Sequence, residues 1–373
     1  LSNVQFSRVC YFNLSKIFCI NFNNRKVRRN IITYQIRYTS ADGRLIAPGC
    51  QDVKAEMGAN LISNTYEDGV GIMEFDGPIT AIGDQAFYER ENLISIELPN
   101  SITSIGNRAF MRNYNLRKVI MPRGLVTIGE QAFYWCNSLT EITIPENTYE
   151  IGYNAFMYCY NLETLNFNAK ECSVGSDAFY QYPIKTLNVG AKVKSLPNFR
   201  SVESVTFAEG ATKVPNNAFS SCTLLTSVTL PDSIKTIGYR AFDYCTNLES
   251  IRLPKNLKAI GEKAFYSCYN LKTADLPASL DRIEKYAFDN CQSLEEINIP
   301  DSVTYIGQYA FYACILITSI TIPENVQTLG RAAFGNCYAL ESVEYNAIEC
   351  VTEPYYYDYR VYDVFYGCNN ISS

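Results

Sequence analysis

A period of 23 residues is the feature that most constrains this chain. The segment from Thr236 to Lys258, TIGYRAFDYCTNLESIRLPKNLK, is followed at once by a close copy, AIGEKAFYSCYNLKTADLPASLD. A fixed period of this length is typical of a solenoid, in which each repeat buries its apolar face against its neighbours. The core phenylalanine of each copy follows an alanine and recurs at Phe87, Phe110, Phe133, Phe156, Phe179, Phe219, Phe242, Phe265, Phe288, Phe311 and Phe334.

Three short segments make up each repeat. The first, L-x-x-I-x-I-P as in Leu294 to Pro300, has apolar residues on period two and ends at proline, which predicts a short strand. The second, T-x-I-G, turns at a glycine, which predicts a backbone angle that other residues resist, although Glu284 fills the same column. The third, x-x-A-F-x-x-C, predicts one helical turn. With the altered units around Phe199 and Phe365, the sequence predicts about 13 turns of 23 residues.

The cysteines follow the same period. Metal and redox sites favour clustered spacings such as C-x-x-C, which does not occur in the sequence. A column of small thiols buried in the core is the simpler interpretation, and it predicts free cysteines and no metal or cofactor. Nine of the 14 cysteines lie three residues after a repeat phenylalanine, at Cys136, Cys159, Cys222, Cys245, Cys268, Cys291, Cys314, Cys337 and Cys368.

Composition narrows the function classes. The chain has no histidine, which excludes Ser-His-Asp and Cys-His catalysis and every histidine-ligated metal site. A net charge of −6 argues against a nucleic-acid partner, because phosphate binding needs a clustered positive surface. The sequence has no run of 18 apolar residues, so no transmembrane helix is predicted.

The repeat unit I-x-I-P-x-x-V-x-x-I-G-x-x-A-F-x-x-C-x-x-L resembles the BspA-type leucine-rich repeats of Bacteroides-like surface proteins, over residues 70–373. The segment from Ile36 to Thr80 is similar to the one that commonly precedes such arrays. The resemblance implies a right-handed α/β superhelix, with a parallel sheet of short strands on one face and short helical turns on the other. It brings no catalytic residues and no cofactor.

Three regions are expected. Residues 1–32 are an unassigned N-terminal arm or targeting remnant, and residues 33–69 are an N-terminal capping segment. Residues 70–373 form the repeat array, with irregular units near 180–220 and an insertion near 353–362.

Two aromatic groups are the candidate ligand-binding sites, because aromatic anchors dominate interface energies. The first group is Trp135, Tyr158 and Tyr160, in variable slots just after the core phenylalanine. The strand face carries small polar residues and predicts no such anchor. The second group lies in the insertion of the last repeat and consists of Tyr355, Tyr356, Tyr357, Tyr359 and Tyr362.

Three functions remain open. The first is a non-enzymatic interaction protein; by resemblance this is a cell-surface or secreted adhesin that binds host matrix or plasma proteins, other cells, or glycans. The second is an intracellular protein–protein scaffold, favoured by the free cysteines and the lack of a clear signal peptide. The third and weakest is a carboxylate-based glycan hydrolase, supported only by the 38 acidic residues. The sequence leaves ligand identity and oligomeric state open.

Overall fold

The structure is a computed structural model, and it describes residues 34–179, 184–352 and 363–371, together with the backbone of Phe12–Asn13 and Lys16–Ile17. The chain divides into two compact units, Leu1–Thr33 and Tyr34–Ser373. In the first unit, the two described strands pair antiparallel. The second unit contains the repeats.

The described chain contains one short helix, α1 (Val53–Met57), and many short strands. The strands are β1 (Phe12–Asn13), β2 (Lys16–Ile17), β3 (Gln35–Ser40), β4 (Leu61–Glu67), β5 (Val70–Phe75), β6 (Ala81–Ile82), β7 (Leu93–Glu97), β8 (Ser104–Ile105), β9 (Lys118–Ile120), β10 (Thr127–Ile128), β11 (Glu141–Ile144), β12 (Glu150–Ile151), β13 (Thr164–Phe167), β14 (Ser173–Val174), β15 (Thr186–Val189), β16 (Ser204–Phe207), β17 (Lys213–Val214), β18 (Ser227–Thr229), β19 (Thr236–Ile237), β20 (Ser250–Ile251), β21 (Ala259–Ile260), β22 (Thr273–Ala274), β23 (Arg282–Ile283), β24 (Tyr305–Ile306), β25 (Ser319–Ile322), β26 (Thr328–Leu329), β27 (Ser342–Tyr345) and β28 (Val351–Thr352).

The first strand of each turn forms the strand face, where strands from successive turns pair in parallel. The longest parallel group runs β11-β13-β15-β16-β18, with Leu165 opposite Leu187 and Leu187 opposite Val205. Alternate residues of each strand, such as Ile142 and Ile144 in β11, are buried. Their neighbours point outward, as period-two alternation predicts.

The T-x-I segments form a second parallel ladder, which is the most continuous part of the array. It consists of a five-stranded sheet, β14-β12-β10-β8-β6, and a seven-stranded sheet that runs from β17 to β28. One strand per turn gives 12 turns among the described residues, which confirms the predicted parallel-strand solenoid. The unit around Phe199 is the one predicted turn that lacks this strand, because residues 190–203 are irregular.

The third side of each turn differs from the predicted helical turn. Residues two positions after the glycine and two positions after the phenylalanine have left-handed backbone angles, such as φ 56° at Gln85 and φ 53° at Glu89. These angles end any helix and turn alternate N–H groups toward the next repeat. Phe87 N therefore donates to Ala109 O at 2.7 Å, and such cross-turn hydrogen bonds alternate with local ones, such as Tyr88 N to Gln85 O at 3.0 Å.

The recurring glycine is required by close approach and not by its own backbone angle. None of the T-x-I-G glycines is among the described residues with positive φ. A Cβ atom at Gly152 would lie 2.5 Å from the backbone nitrogen of Glu130, and one at Gly175 would lie 2.6 Å from that of Tyr153. Such distances are far inside van der Waals contact, so glycine is favoured in this column because adjacent turns touch there, although Glu284 and Pro215 occupy it in two turns.

A stack of phenylalanine rings forms the centre of the core. Phe133 is 5.0 Å from Phe110 and 5.1 Å from Phe156 between ring centroids, and both pairs are nearly parallel. The stack is interrupted at the irregular turn, where Phe199 tilts by 60° to Phe179. Regular stacking therefore follows the regular period and is lost where the period shortens.

Antiparallel strands cover the first turn of the array. β3 pairs with β5 on one side and with β7 on the other, and β4 pairs with β5. Tyr38 of β3 is buried against Gly71, where a Cβ atom would lie 2.0 Å from the tyrosine ring. α1 follows β3, with Asp52 as its N-cap and Gly58 at φ 99° as its C-cap.

Candidate functional site

Trp135 and Tyr158 occupy the same slot in consecutive turns, two residues after the core phenylalanine, and both have left-handed backbones, with φ 65° and 63°. This conformation costs a residue other than glycine about 1–2 kcal/mol. A cross-turn hydrogen bond from Trp135 N to Met157 O, at 3.0 Å, offsets part of that cost. The slot aims both side chains away from the core and sets them one turn apart.

Five rings from three consecutive turns meet here in an aromatic cluster. Trp135 packs edge-on against Tyr158 with 5.6 Å between ring centroids, and against Tyr114 at 5.8 Å. Tyr160 lies 6.0 Å from Tyr158. The structure therefore brings together the three residues of the first predicted group. The aromatic cluster comprises Tyr114, Tyr134, Trp135, Tyr158 and Tyr160.

Tyr134 is a member that the sequence reasoning missed. It lies directly after Phe133, and its ring is 5.1 Å from Tyr158 at 81° and 6.4 Å from Trp135 at 14°. Burial raises the pKa of the Tyr134 phenol, and the neighbouring Tyr158 raises it further. The only signal in the sequence was its position beside Trp135.

The cluster is half-buried and has a charged neighbour on one side. Tyr160 is the most open ring, with 42% of its surface exposed. One turn earlier, Arg112 occupies the slot of Trp135 and pairs with Glu89 at 2.7 Å. The Arg112 guanidinium and a hydrogen bond from Tyr88 hold the pKa of Glu89 below its usual range. Apolar rings beside charged groups match the anatomy of a protein interface.

The second predicted aromatic group cannot be placed. Tyr355, Tyr356, Tyr357, Tyr359 and Tyr362 all lie outside the described residues.

The predicted cysteine column is present, and its thiols are free. Each of the nine donates its S–H to the carbonyl of a phenylalanine in the preceding turn, as Cys268 does to Phe242 O at 3.1 Å. Asn113 fills the same slot one turn before Cys136 and donates to Phe87 O and Phe110 O, each at 2.7 Å. Burial raises the pKa of Cys222 to about 12. The Cys222 thiol is therefore held protonated, makes a structural hydrogen bond and is a poor nucleophile.

In the middle of the strand face, outward polar side chains of β11, β13 and β15 bond one another across the strands. Asn166 donates to Glu141 at 2.5 Å and to Thr143 at 3.1 Å, and Asn188 donates to Asn166 at 2.7 Å. This polar ladder contains no aromatic anchor, as the sequence predicted.

Two acids, Glu141 and Glu146, line one depression on the strand face. Lys170 and Lys192 bond Glu146 at 2.7 and 2.9 Å, and these bonds lower the pKa of the Glu146 carboxyl. A general acid needs a raised pKa, so Glu146 is unsuited to donate a proton. Across the part of the chain that the structure describes, no cluster of three or more histidine, cysteine or acidic residues is arranged to hold a metal.

Within residues 34–179, 184–352 and 363–371, no helix is long and apolar enough to cross a membrane.

The family model for the BspA type leucine rich repeat region matches the chain over residues 80–200, 198–317 and 258–373. These matches cover more than half of the sequence. The chain belongs to this family. Membership accounts for the solenoid, the glycine column and the Ala-Phe pair together. No curated protein matches the chain.

Several solved structures are similar to this BspA-type chain. A leucine-rich repeat protein from Bacteroides ovatus is 22% identical with a TM-score of 0.41, covering 82% of this chain and 83% of that one. The pneumococcal vaccine antigen PcpA is 24% identical with a TM-score of 0.38, covering 73% and 74%. A leucine rich cell surface protein from Faecalibacterium prausnitzii is 23% identical with a TM-score of 0.26, covering 76% and 86%. The family assignment rests on the repeat match alone.

Proposed function

We propose that this BspA-type chain is a non-enzymatic interaction protein, a bacterial cell-surface or secreted adhesin whose ligands are proteins. The observation that carries the proposal is the aromatic cluster, in which Trp135 contacts three tyrosine rings on the surface of a rigid array. Tryptophan and tyrosine anchors supply much of the binding energy of protein interfaces. The tyrosines of residues 355–362 are proposed as a second contact.

A rigid scaffold makes the cluster effective. The left-handed slot fixes the backbone of Trp135, and neighbouring rings restrict its side chain, so little conformational freedom remains to be lost on binding. Immobilising a flexible side chain costs about 0.5–1.5 kcal/mol, and a pre-organised ring avoids most of that. The Glu89–Arg112 pair supplies a polar edge that favours correctly charged partners.

Catalysis has less support. The BspA-type family is generally non-enzymatic, and the acids of the strand-face depression are engaged by Asn166, Lys170 and Lys192. An intracellular scaffold is the second candidate, favoured by the twelve described cysteines, all of them free thiols. Disulfides would be more usual in an oxidising compartment, although the buried column has a structural role in either location.

Binding to immobilised matrix and plasma proteins, and to partner cells, tests the adhesin proposal. We expect Trp135→Ala to weaken binding to the responding ligand by at least about 2 kcal/mol, which is roughly thirtyfold. Tyr239→Ala is the matched control, because Tyr239 is an exposed ring in a later turn, away from the cluster. Equal binding by wild type and Trp135→Ala would refute the role of the cluster, and failure of the wild type to bind any ligand would count against the adhesin.

A further inference from the structure

The strand face has a depression of about 1010 Å³ between β9 and β11, at a place where the sheet is open. β9 belongs to the sheet that begins with β4, whereas β11 begins the next sheet, and no ladder pairing among the described strands joins the two. The floor is formed by both strands, and the loops around Arg123, Glu146 and Lys192 form the rim. The facing edges of the two strands are thus left without the partner that a continuous sheet would give them.

The lining of this depression has a net positive charge, from Arg117, Lys118, Arg123 and Lys192 against Glu141 and Glu146, although the chain as a whole carries −6. Arg117, Lys118 and Arg123 are exposed and line it, and no described carboxylate lies within ion-pair distance of their side chains. The acids are already engaged, Glu141 by Asn166 and Glu146 by two lysines. An incoming anion would therefore find three cations without a carboxylate partner, and two carboxylates that are already held by hydrogen bonds.

The lining also offers an apolar contact and lacks a ring. Ile120 points outward from β9 with 43% of its surface exposed, and none of the residues that line the depression is aromatic. A bound sugar normally stacks on an aromatic ring, whereas an aliphatic side chain of a peptide can pack on isoleucine. The next opening of the same face, between β18 and β20, differs because Arg252 there is paired with Asp232 at 3.0 Å.

We propose that the β9–β11 depression binds an acidic segment of a partner protein. Its carboxylates pair with Arg117, Lys118 and Arg123, and an aliphatic side chain packs on Ile120. This surface is separate from the aromatic cluster, so either can fail without affecting the other.

Fluorescence anisotropy with a labelled peptide of alternating glutamate and leucine tests the proposal on the full chain. Three exposed ion pairs are worth about 0.5 kcal/mol each. The triple charge-reversal variant, Arg117→Glu/Lys118→Glu/Arg123→Glu, should therefore weaken peptide binding about tenfold or more. The control is a second triple variant, Lys213→Glu/Lys235→Glu/Lys258→Glu, which makes the same change in net charge at three other exposed lysines. It should bind the peptide within about twofold of the wild type.

A second set of measurements separates a peptide site from a general anion site. Ile120→Ser, and a peptide with glycine in place of leucine, should each weaken binding about threefold or more, because each removes the apolar contact. Circular dichroism checks the fold, and Arg117→Gln/Lys118→Gln/Arg123→Gln replaces the charge-reversal variant if that one unfolds. The proposal is overturned if the wild type does not bind, if both triple variants lose affinity equally, or if a sulfated oligosaccharide of equal charge binds as well as the peptide.

Discussion

Replacing Phe265 by alanine should be among the most damaging single changes in the array. Its ring is fully buried and stacks on Phe242 at 5.3 Å and on Phe288 at 5.1 Å. Truncation of a buried phenylalanine costs about 3–5 kcal/mol, and two stacked neighbours place this position near the upper end. Phe87 is equally buried but has one described stacking partner, Phe110, at 5.3 Å. Phe87→Ala should therefore cost about 1 kcal/mol less than Phe265→Ala.

Urea unfolding followed by two signals measures this difference. Far-ultraviolet circular dichroism reports the whole array, whereas the fluorescence of the single tryptophan, Trp135, reports the earlier turns. Because each turn contacts only its neighbours, Phe265→Ala should lower the circular dichroism midpoint more than the tryptophan midpoint. If Phe265→Ala lowers the free energy of unfolding by less than about 1.5 kcal/mol, the stacked rings do not hold the turns together. A larger decrease for Phe87→Ala than for Phe265→Ala would contradict the account in the same way.

Three further predictions concern other columns of the repeat. Gly152→Ala should lower the free energy of unfolding by about 1–3 kcal/mol in urea titrations, because the added Cβ would meet the preceding turn. An unchanged free energy of unfolding would refute the close approach between turns. Cys268→Ala should lower the free energy of unfolding by about 0.5–1.5 kcal/mol, because the Phe242 carbonyl loses one of its two hydrogen bonds and keeps the one from Cys245 N at 3.2 Å. Cys268→Ser should recover part of that loss because it keeps a donor, and identical unfolding midpoints for the two variants would contradict this. Burial raises the pKa of Asp289 to about 7, above its unfolded value, so its contribution to stability is lost as pH rises from about 4 to 7. Asp289→Asn should flatten that slope and stabilise the protein at pH 8 by about 1 kcal/mol or more in urea titrations, and an unchanged pH profile would contradict the assignment.

The 23-residue period was sufficient to predict most of the fold, because the core positions repeat in register. The phenylalanine stack and the cysteine column both follow from a spacing of 23, since residues one period apart lie side by side in adjacent turns. The left-handed slots escaped prediction because ordinary residues such as Gln85 and Trp135 fill them, and nothing in their type signals positive φ. The glycine column was explained by the wrong cause, because a close approach between turns leaves the same signature as a special backbone angle.

The candidate site was predictable only in part. The spacing from Trp135 to Tyr158 is one period, so their contact could be expected. Tyr134 belongs to the cluster because its side chain points toward Tyr158, and its position in the repeat does not reveal that direction. The strand-face depression could not be read from the sequence at all. The depression exists because β9 and β11 do not pair, and its charge depends on which side chains form ion pairs. Residue type alone predicts neither the missing pairing nor the ion pairs.

The central claim is that this BspA-type array acts outside the cell as an interaction protein. Protease shaving of intact native cells, followed by mass spectrometry of the released peptides, tests it most directly. The proposal predicts repeat peptides released from intact cells, or full-length chain in the culture medium, at levels well above those of a cytoplasmic marker protein. Repeat peptides that appear only after lysis, together with that marker, would contradict the adhesin and leave the intracellular scaffold as the better account.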